Sequence, residues 1–567
     1  MSFSQTAWIK NSREATGQDQ LGLRFFSETI YQDLLPHITN VTSRGRYYSF
    51  YPWLIRAVET RSDLLINLSL QKIVRRADCL LTLIGLYHHQ ISEDARSQSL
   101  HDGFVGAKKL SSVLTEMLET GESARLSQYA AEEESSDRYF KNRFGGLGQY
   151  YFGPLRDAGI LAYNEKGEIH YTEDRGLVIA EAFDESVLGD DFFEVLINDW
   201  VSESDLEGLL DFCPCRLFEN QTEQNALLDF FFSRETIFQH PAWKKRRESL
   251  ILILDFIYKS SLNDLETSLD SSGVHSFLSA AYTDALSGDL LWESDVEKYS
   301  DTKLLWRQYY AGELLSFAVQ GLFWAGMTEL AESDDLVADC RDYGNWFAEK
   351  FASSVEDFNG ANFAAAREEV ESNLSEITDW ENESHEISLT RQLERAVRDK
   401  RLPERREKTV ALAVKILLSL AARWRKNDDL EIKFPASFSN QQLNEYPINL
   451  TNLLRFAEND WREMRLGEWL AWLASDWGVG THLMIALRKL QGESLDTFKV
   501  FPSEEGLQVK EVIGDKTIEE ILLPGFTSPR LRTTLQILWD LGVITLENNS
   551  LILTPTGEIV LEEFAGG

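Results

Sequence analysis

The sequence predicts a mainly α-helical protein, a helical body flanked by two small modules that each carry a β-hairpin. Three observations lead there. Apolar residues recur at helical spacing along most of the chain, and strand-like alternation is confined to short stretches. Residues 155–183 and 538–564 follow one pattern, written twice. The 567 residues are 43% hydrophobic and 26% charged, a globular composition with 15 Trp and 32 Phe to fill cores.

The repeat is the clearest signal. Its first copy runs Leu155, Arg156, Asp157, Ala158, Gly159, Ile160, Leu161, then a turn at 164–167, a second extended stretch at 169–172 and an amphipathic segment at 176–183. Its second copy runs Leu538, Trp539, Asp540, Leu541, Gly542, Val543, Ile544, then a turn, 552–555 and 557–564. Each reads as a helix closed by a glycine in the left-handed cap position, a hairpin and a short helix. That is the C-terminal half of a winged-helix module, a shape that suggests binding without naming the ligand. Ser528 and Pro529 are the expected N-cap and first residue of the second copy's helix, which carries Arg530 and Arg532.

Length predicts three to four domains by the prior of about 150 residues each. We divide the chain into an N-terminal helical domain (1–120), a winged helix (121–185), an acidic helical domain (186–390), a helical segment with a basic stretch (391–480) and a C-terminal winged helix (481–567). In the first, a helix over 21–35 ends at Pro36, and Thr42 or Ser43 can cap a helix with Tyr47, Phe50, Tyr51 and Leu54 on one face. Another helix opens at 73–78, and small residues at 103–110 close the domain. Arg44, Arg46, Arg75 and Arg76 lie among these aromatics. Such residues can form a phosphate or single-strand platform. They can equally bond helix ends and buried acids in a core, and we favour that reading.

Charge separates the modules. Residues 138–183 hold six basic and six acidic residues, with Arg138, Lys141 and Arg143 ahead of the module's helix. Residues 517–564 hold two Arg and seven acids. A shared DNA role is therefore not expected, since DNA-reading helices present Arg and Lys. Residues 181–240 carry 15 acids against Arg216 and Arg234, and residues 243–247 bring a small basic cluster. Residues 355–390 look like a looser connection. Residues 391–426 then carry 12 basic residues against four acids, split by Pro403 into two helices. With Arg398, Arg401, Arg405 and Arg406, this stretch is the best electrostatic candidate for nucleic acid. Its other reading is a helix docked on the acidic 181–240 face of the same chain. Further on, 469–473 and 481–490 read as helices, and 497–501 and 507–512 as strands around a turn at 503–506.

The net charge of −36 repels phosphate backbones, so nucleic-acid binding would need local basic patches. Four Cys exclude a disulfide scaffold. Cys213 and Cys215 flank one Pro, a spacing too tight for the usual two-residue metal knuckle, and no second Cys pair completes it. Adjacent His88 and His89 point to different helix faces, so they do not jointly hold an ion. No metal and no cofactor are expected. The longest apolar run, 314–328, is 15 residues, short of the roughly 20 that cross a bilayer. With no apolar N-terminal run, a cytoplasmic protein without membrane contact is expected. Phosphate loop, nucleophile elbow and zinc-protease motifs are absent. Glu431 and Lys433, after Asp428 and Asp429, form the Glu-x-Lys of restriction-type nucleases, but no flanking sheet is visible.

The stretch 36–54, with its core Thr42, Ser43, Arg44, Gly45, Arg46, Tyr47, Tyr48, Ser49, Phe50, Tyr51, Pro52 and Trp53, resembles the N-terminus of uncharacterised bacterial domain families encoded in antiviral defence islands. Residues 73–78, 103–106 and 482–490, with Phe498 and Pro502, fit the same pattern. The resemblance carries no catalytic residues. It implies a defence-system component. Our first reading is a non-catalytic subunit that uses the winged helices and the basic segment 391–426 to hold a partner enzyme, a helicase, nuclease or ATPase subunit, with DNA as a second candidate partner. The alternatives are a metal-dependent nuclease using Glu431 and Lys433, and a winged-helix transcriptional regulator.

Overall fold

The computed structural model describes residues 19–61, 68–92, 103–187, 189–288, 290–293, 297–358, 361–426, 439–490, 497–527 and 530–565. The protein is 65% helix and 7% strand. The described strands pair into six antiparallel two-stranded sheets. The chain divides into two compact units that do not follow chain order. Unit 1 is Met1–Ile30, Ala281–Leu291 and Leu304–Thr527, and unit 2 is Tyr31–Ala280, Trp292–Lys303 and Ser528–Gly567.

Unit 2 is built around the helix Tyr47–Thr60, of which 11 of 14 residues are buried. Both faces serve as core. Trp53 stacks on Phe193 at 4.9 Å, while Tyr48 meets Phe231 edge-on at 5.1 Å. Thr42 and Ser43 do not cap this helix, which starts with no side-chain cap. Thr42 Oγ1 instead accepts from the amide of Thr39 at 2.9 Å and from the hydroxyl of Tyr48 at 3.1 Å, closing the loop ahead of it. The helix Leu70–Ile91 is capped by Ser69 and packs against Ala107–Thr120.

Both copies of the repeat belong to unit 2. The first comprises a π-helical turn Leu147–Tyr151, the helix Phe152–Asp157, strands Leu161–Tyr163 and Ile169–Tyr171, and the helix Arg175–Asp184. The second comprises the helix Leu531–Asp540, strands Ile544–Glu547 and Ser550–Leu553, and the helix Pro555–Ala565. They agree bond for bond. Gly159 and Gly542 sit at φ 66° and 67°, the left-handed region that spares glycine the Cβ clash. The next amide, of Ile160 or Val543, donates back to Leu155 at 2.8 Å or to Leu538 at 3.1 Å. The hydroxyls of Thr172 and Thr554 donate to the glycine carbonyls at 2.7 and 2.6 Å. These threonines also accept from the amides of Gly176 and Gly557, at 2.9 and 3.1 Å. A Cβ on those two glycines would stand 2.3 Å from the carbonyl oxygen of Ile160 and 2.0 Å from that of Val543. Ser528 and Pro529 lie outside the described residues.

The sequence reading sets the two copies on either side of a helical body. The structure brings both to residues 44–45 instead. The amide of Arg44 donates to Tyr151 Oη at 3.4 Å, and that of Gly45 to Asp540 Oδ2 at 2.8 Å.

In unit 1 the helix Ser300–Glu332, whose residues from 304 onward belong to this unit, runs well beyond the apolar stretch 314–328. It is the one described helix long and apolar enough to cross a membrane, and 83% of its most apolar stretch is buried in the fold. Helices Glu386–Arg398 and Arg405–Lys426 flank Pro403, whose ring excludes it from a helix interior. The stretch 355–390 is more ordered than a linker: Asn362 caps a helix, Phe363–Ser372, through the amide of Ala365 at 2.9 Å. The helix Leu466–Trp472 passes into a π-helical segment, Leu473–Gly480, beside clustered Phe456, Trp461, Trp469, Trp472 and Trp477. The strands expected at 497–501 and 507–512 form at Val500–Ser503 and Gly506–Val509.

Candidate functional site

The segment 44–46 carries two arginines inward. Arg44 is fully buried against Asp540, with Nε to Oδ2 at 3.0 Å and Nη2 to Oδ1 at 2.9 Å. Burial pushes the Asp540 carboxyl up to about 6, opposed by Arg44 and the Gly45 amide, so the pair is charged at neutral pH. Arg46 makes a fork to Glu223, 3.2 Å from Nε and 2.9 Å from Nη2. Its Nη1 donates to the carbonyls of Cys213, at 2.7 Å, and Asp211. Arg75 clamps a loop by donating to the carbonyls of Ala130, Ala131, Phe140 and Asn142 at 2.5–3.0 Å. Arg76 donates to Leu196 O at 2.7 Å and pairs with Asp199 at 3.2 Å. A phosphate platform needs guanidiniums that face solvent. These four bond protein carbonyls and carboxylates, as the core reading requires.

A buried acid, Asp78, lies on the same helix as Arg75 and Arg76. Asp78 accepts from Tyr51 Oη, Tyr139 Oη and the Gly146 amide, each at 2.8 Å, tying the loop before the first repeat to the core. Within that loop Arg138 folds back on Phe140 O at 2.7 Å, whereas Lys141 and Arg143 are exposed. In the second repeat, eight of the ten residues of Leu531–Asp540 are buried. Arg530 donates to Leu35 O at 3.0 Å and lies over the ring of Tyr31. Arg532 is exposed and lines a groove of about 370 Å³ with Asn40, Ser43, Asp270 and Gln536.

The basic stretch of unit 1 is also largely matched. Arg405 forks to Glu519 at 2.8 and 3.0 Å, and Arg406 bonds Glu329 at 2.6 Å and Glu332 at 2.5 Å. Buried Arg423 forks to Glu386. These acids are not those of 181–240, the face on which the second sequence reading docks the stretch. Arg398 is exposed beside Glu394, and Arg401 is exposed. Glu431 and Lys433 lie outside the described residues.

One further cluster was missed. His88, in the last turn of Leu70–Ile91, meets Cys213 and Cys215. His88 Nδ1 lies 3.1 Å from Cys215 Sγ, which lies 3.0 Å from Cys213 Sγ. Cys213 ends one 3₁₀ turn, Leu210–Phe212, and Pro214 opens the next, Pro214–Glu219. Both sulfurs are buried and the imidazole is partly exposed. Among the described residues it is the one group of three or more His, Cys, Asp or Glu whose ligand atoms converge this way. The expectation that these residues share no ion rested on their spacing, which does not show a histidine 125 residues away.

Compared with protein families, with curated proteins and with solved structures, the chain matches none.

Proposed function

We propose that this protein is a non-catalytic subunit of a bacterial antiviral defence system, which holds a partner enzyme such as a helicase, nuclease or ATPase subunit. The two repeats act in it as winged-helix modules used for packing and docking. The observation that carries this reading is the burial of Leu531–Asp540. In a DNA-reading winged helix the equivalent helix lies in the major groove and offers Arg and Lys to base edges. Here it fills the core and gives Asp540 to Arg44. The surrounding segment is acidic, and the chain's net charge is −36. Such a surface repels phosphate and favours a basic protein face. Nucleic-acid contact would fall to Lys141, Arg143, Arg398, Arg401 and Arg532, the candidate cations that stay at the surface.

Native purification of a tagged chain from its host tests this. The expected result is stoichiometric recovery with the product of a neighbouring gene, unchanged by nuclease treatment. A chain that elutes alone and cleaves DNA with Mg²⁺, losing that activity in Glu431→Ala, would overturn the proposal in favour of the nuclease. Tight, salt-sensitive binding to one defined DNA site would overturn it in favour of the regulator.

A further inference from the structure

We infer that His88, Cys213 and Cys215 form a binding site for one zinc ion, with a fourth position open to solvent. Two thiolates and an imidazole are the donor set that suits Zn²⁺, and three protein ligands leave one place for water.

The local fold presents these donors. Pro214 fixes its own φ near −65° and separates the two sulfurs by a single residue, so both lie on one side of the turn 3.0 Å apart. Arg46 holds the carbonyls of Asp211 and Cys213, so the loop that bears the thiols is clamped from the core. The imidazole arrives from an independent element, a long helix. In a tetrahedron with Zn–S about 2.3 Å and Zn–N about 2.0 Å, donors stand about 3.5–3.8 Å apart. The observed 3.0 and 3.1 Å need openings of roughly 0.8 Å between the sulfurs and roughly 0.4 Å between sulfur and nitrogen, within the rotamer freedom of three side chains.

Electrostatics favours the same occupant. The guanidiniums of Arg44 and Arg46 lie near the Cys213 thiol. Those guanidiniums are matched by Asp540 and Glu223. Two thiolates with one Zn²⁺ are neutral, so the filled site adds no net buried charge. A disulfide between the cysteines would use two of the three donors and give His88 no role.

The test uses the full chain, reduced and stripped of metal. Titration with Co²⁺ should produce thiolate-to-cobalt charge-transfer bands and intense tetrahedral visible bands, saturating at about one ion per chain. Zn²⁺ should bleach them, and binding should release protons as the thiols ionise. Cys215→Ser and His88→Gln, with unchanged circular dichroism, should each weaken binding about 100-fold, the upper end of losses seen for supporting residues. Metal analysis of protein purified without chelator should find zinc. Folded wild-type protein without charge-transfer bands would overturn the assignment, as would a Cys213→Ser/Cys215→Ser variant with the wild-type spectrum. Copper in the purified protein would overturn the choice of zinc. An intact mass lower by two hydrogens, with no metal uptake after reduction, would assign a disulfide instead.

Discussion

Asp540→Asn should be among the most damaging single-atom changes available to unit 2. Asp540 and Arg44 are each 0% exposed and bonded at 2.9 and 3.0 Å, and Gly45 N adds a third bond at 2.8 Å. The substitution leaves a guanidinium buried without its counter-ion, and removal of one partner from such a pair costs about 3–5 kcal/mol. Arg44→Met should cost a similar amount. The double variant Arg44→Met/Asp540→Leu replaces the pair with apolar side chains and should return to within about 1 kcal/mol of wild type, a coupling of about 5 kcal/mol or more. Urea unfolding followed by tryptophan fluorescence measures it, since Trp539 and Trp53 are buried in the same unit. The coupling should also depend on pH. Asp540 titrates at about 6 in the fold, above its ordinary 3.8, so the folded state binds its proton more tightly than the unfolded chain. The charged pair is complete above that value, and the coupling should shrink as pH falls to about 5. An Asp540→Asn variant within about 0.5 kcal/mol of wild type, or a double variant that loses the sum of the singles, would refute the reasoning.

Other expectations follow from other buried groups and close contacts. Glu313 is buried and its carboxyl is pushed up to about 7 by burial, against bonds from Ser27 and Thr527. The folded state therefore keeps a proton that the unfolded chain releases near 4.5, so stability should fall by about 3 kcal/mol as pH rises from 4.5 through 7, and Glu313→Gln should flatten that slope in melting curves. Gly176→Ala and Gly557→Ala each drive a Cβ into a carbonyl oxygen and should each cost about 1–3 kcal/mol, read by urea midpoint. A loss in only one of the two would show that the repeats are not structurally equivalent. Arg75→Met strips donors from four carbonyls and should cost about 3 kcal/mol, with faster hydrogen exchange across 130–146.

The repeats were legible because their determinants are local. A glycine at left-handed φ, a threonine that bonds the glycine carbonyl and a glycine under a carbonyl all fall within about twenty residues of each other. The helix break at Pro403 was legible for the same reason. The direction of Arg44, Arg46 and Arg405 was not settled by sequence. Each reaches an acid 496, 177 or 114 residues away, and only the tertiary fold chooses between such an acid and solvent. The zinc-like cluster failed on the same count, with a separation of 127 between His88 and Cys215. Capping by Thr42 failed differently, because the hydroxyl had a closer customer in the Thr39 amide.

The fate of the arginines sharpens what the net charge means. An arginine buried against a carboxylate removes one charge of each sign from the surface and leaves the balance unchanged. An arginine buried against carbonyls keeps its charge but takes the guanidinium out of reach of a contacting phosphate. Arg75 does this with four carbonyls, and Arg246 with those of Phe230 and Phe231, its pKa lowered to about 9 by burial. Acidic residues outnumber basic ones 92 to 56, and the enclosed charge stays at −36 wherever the arginines lie. That field acts mostly within a Debye length of about 8 Å at physiological salt. A partner that docks on this surface meets that field at contact range, where a basic face gains and a phosphate backbone loses. The folding of Arg44, Arg46, Arg75 and Arg76 into the core thus removes them from the list of phosphate contacts without altering the net charge that such a backbone meets.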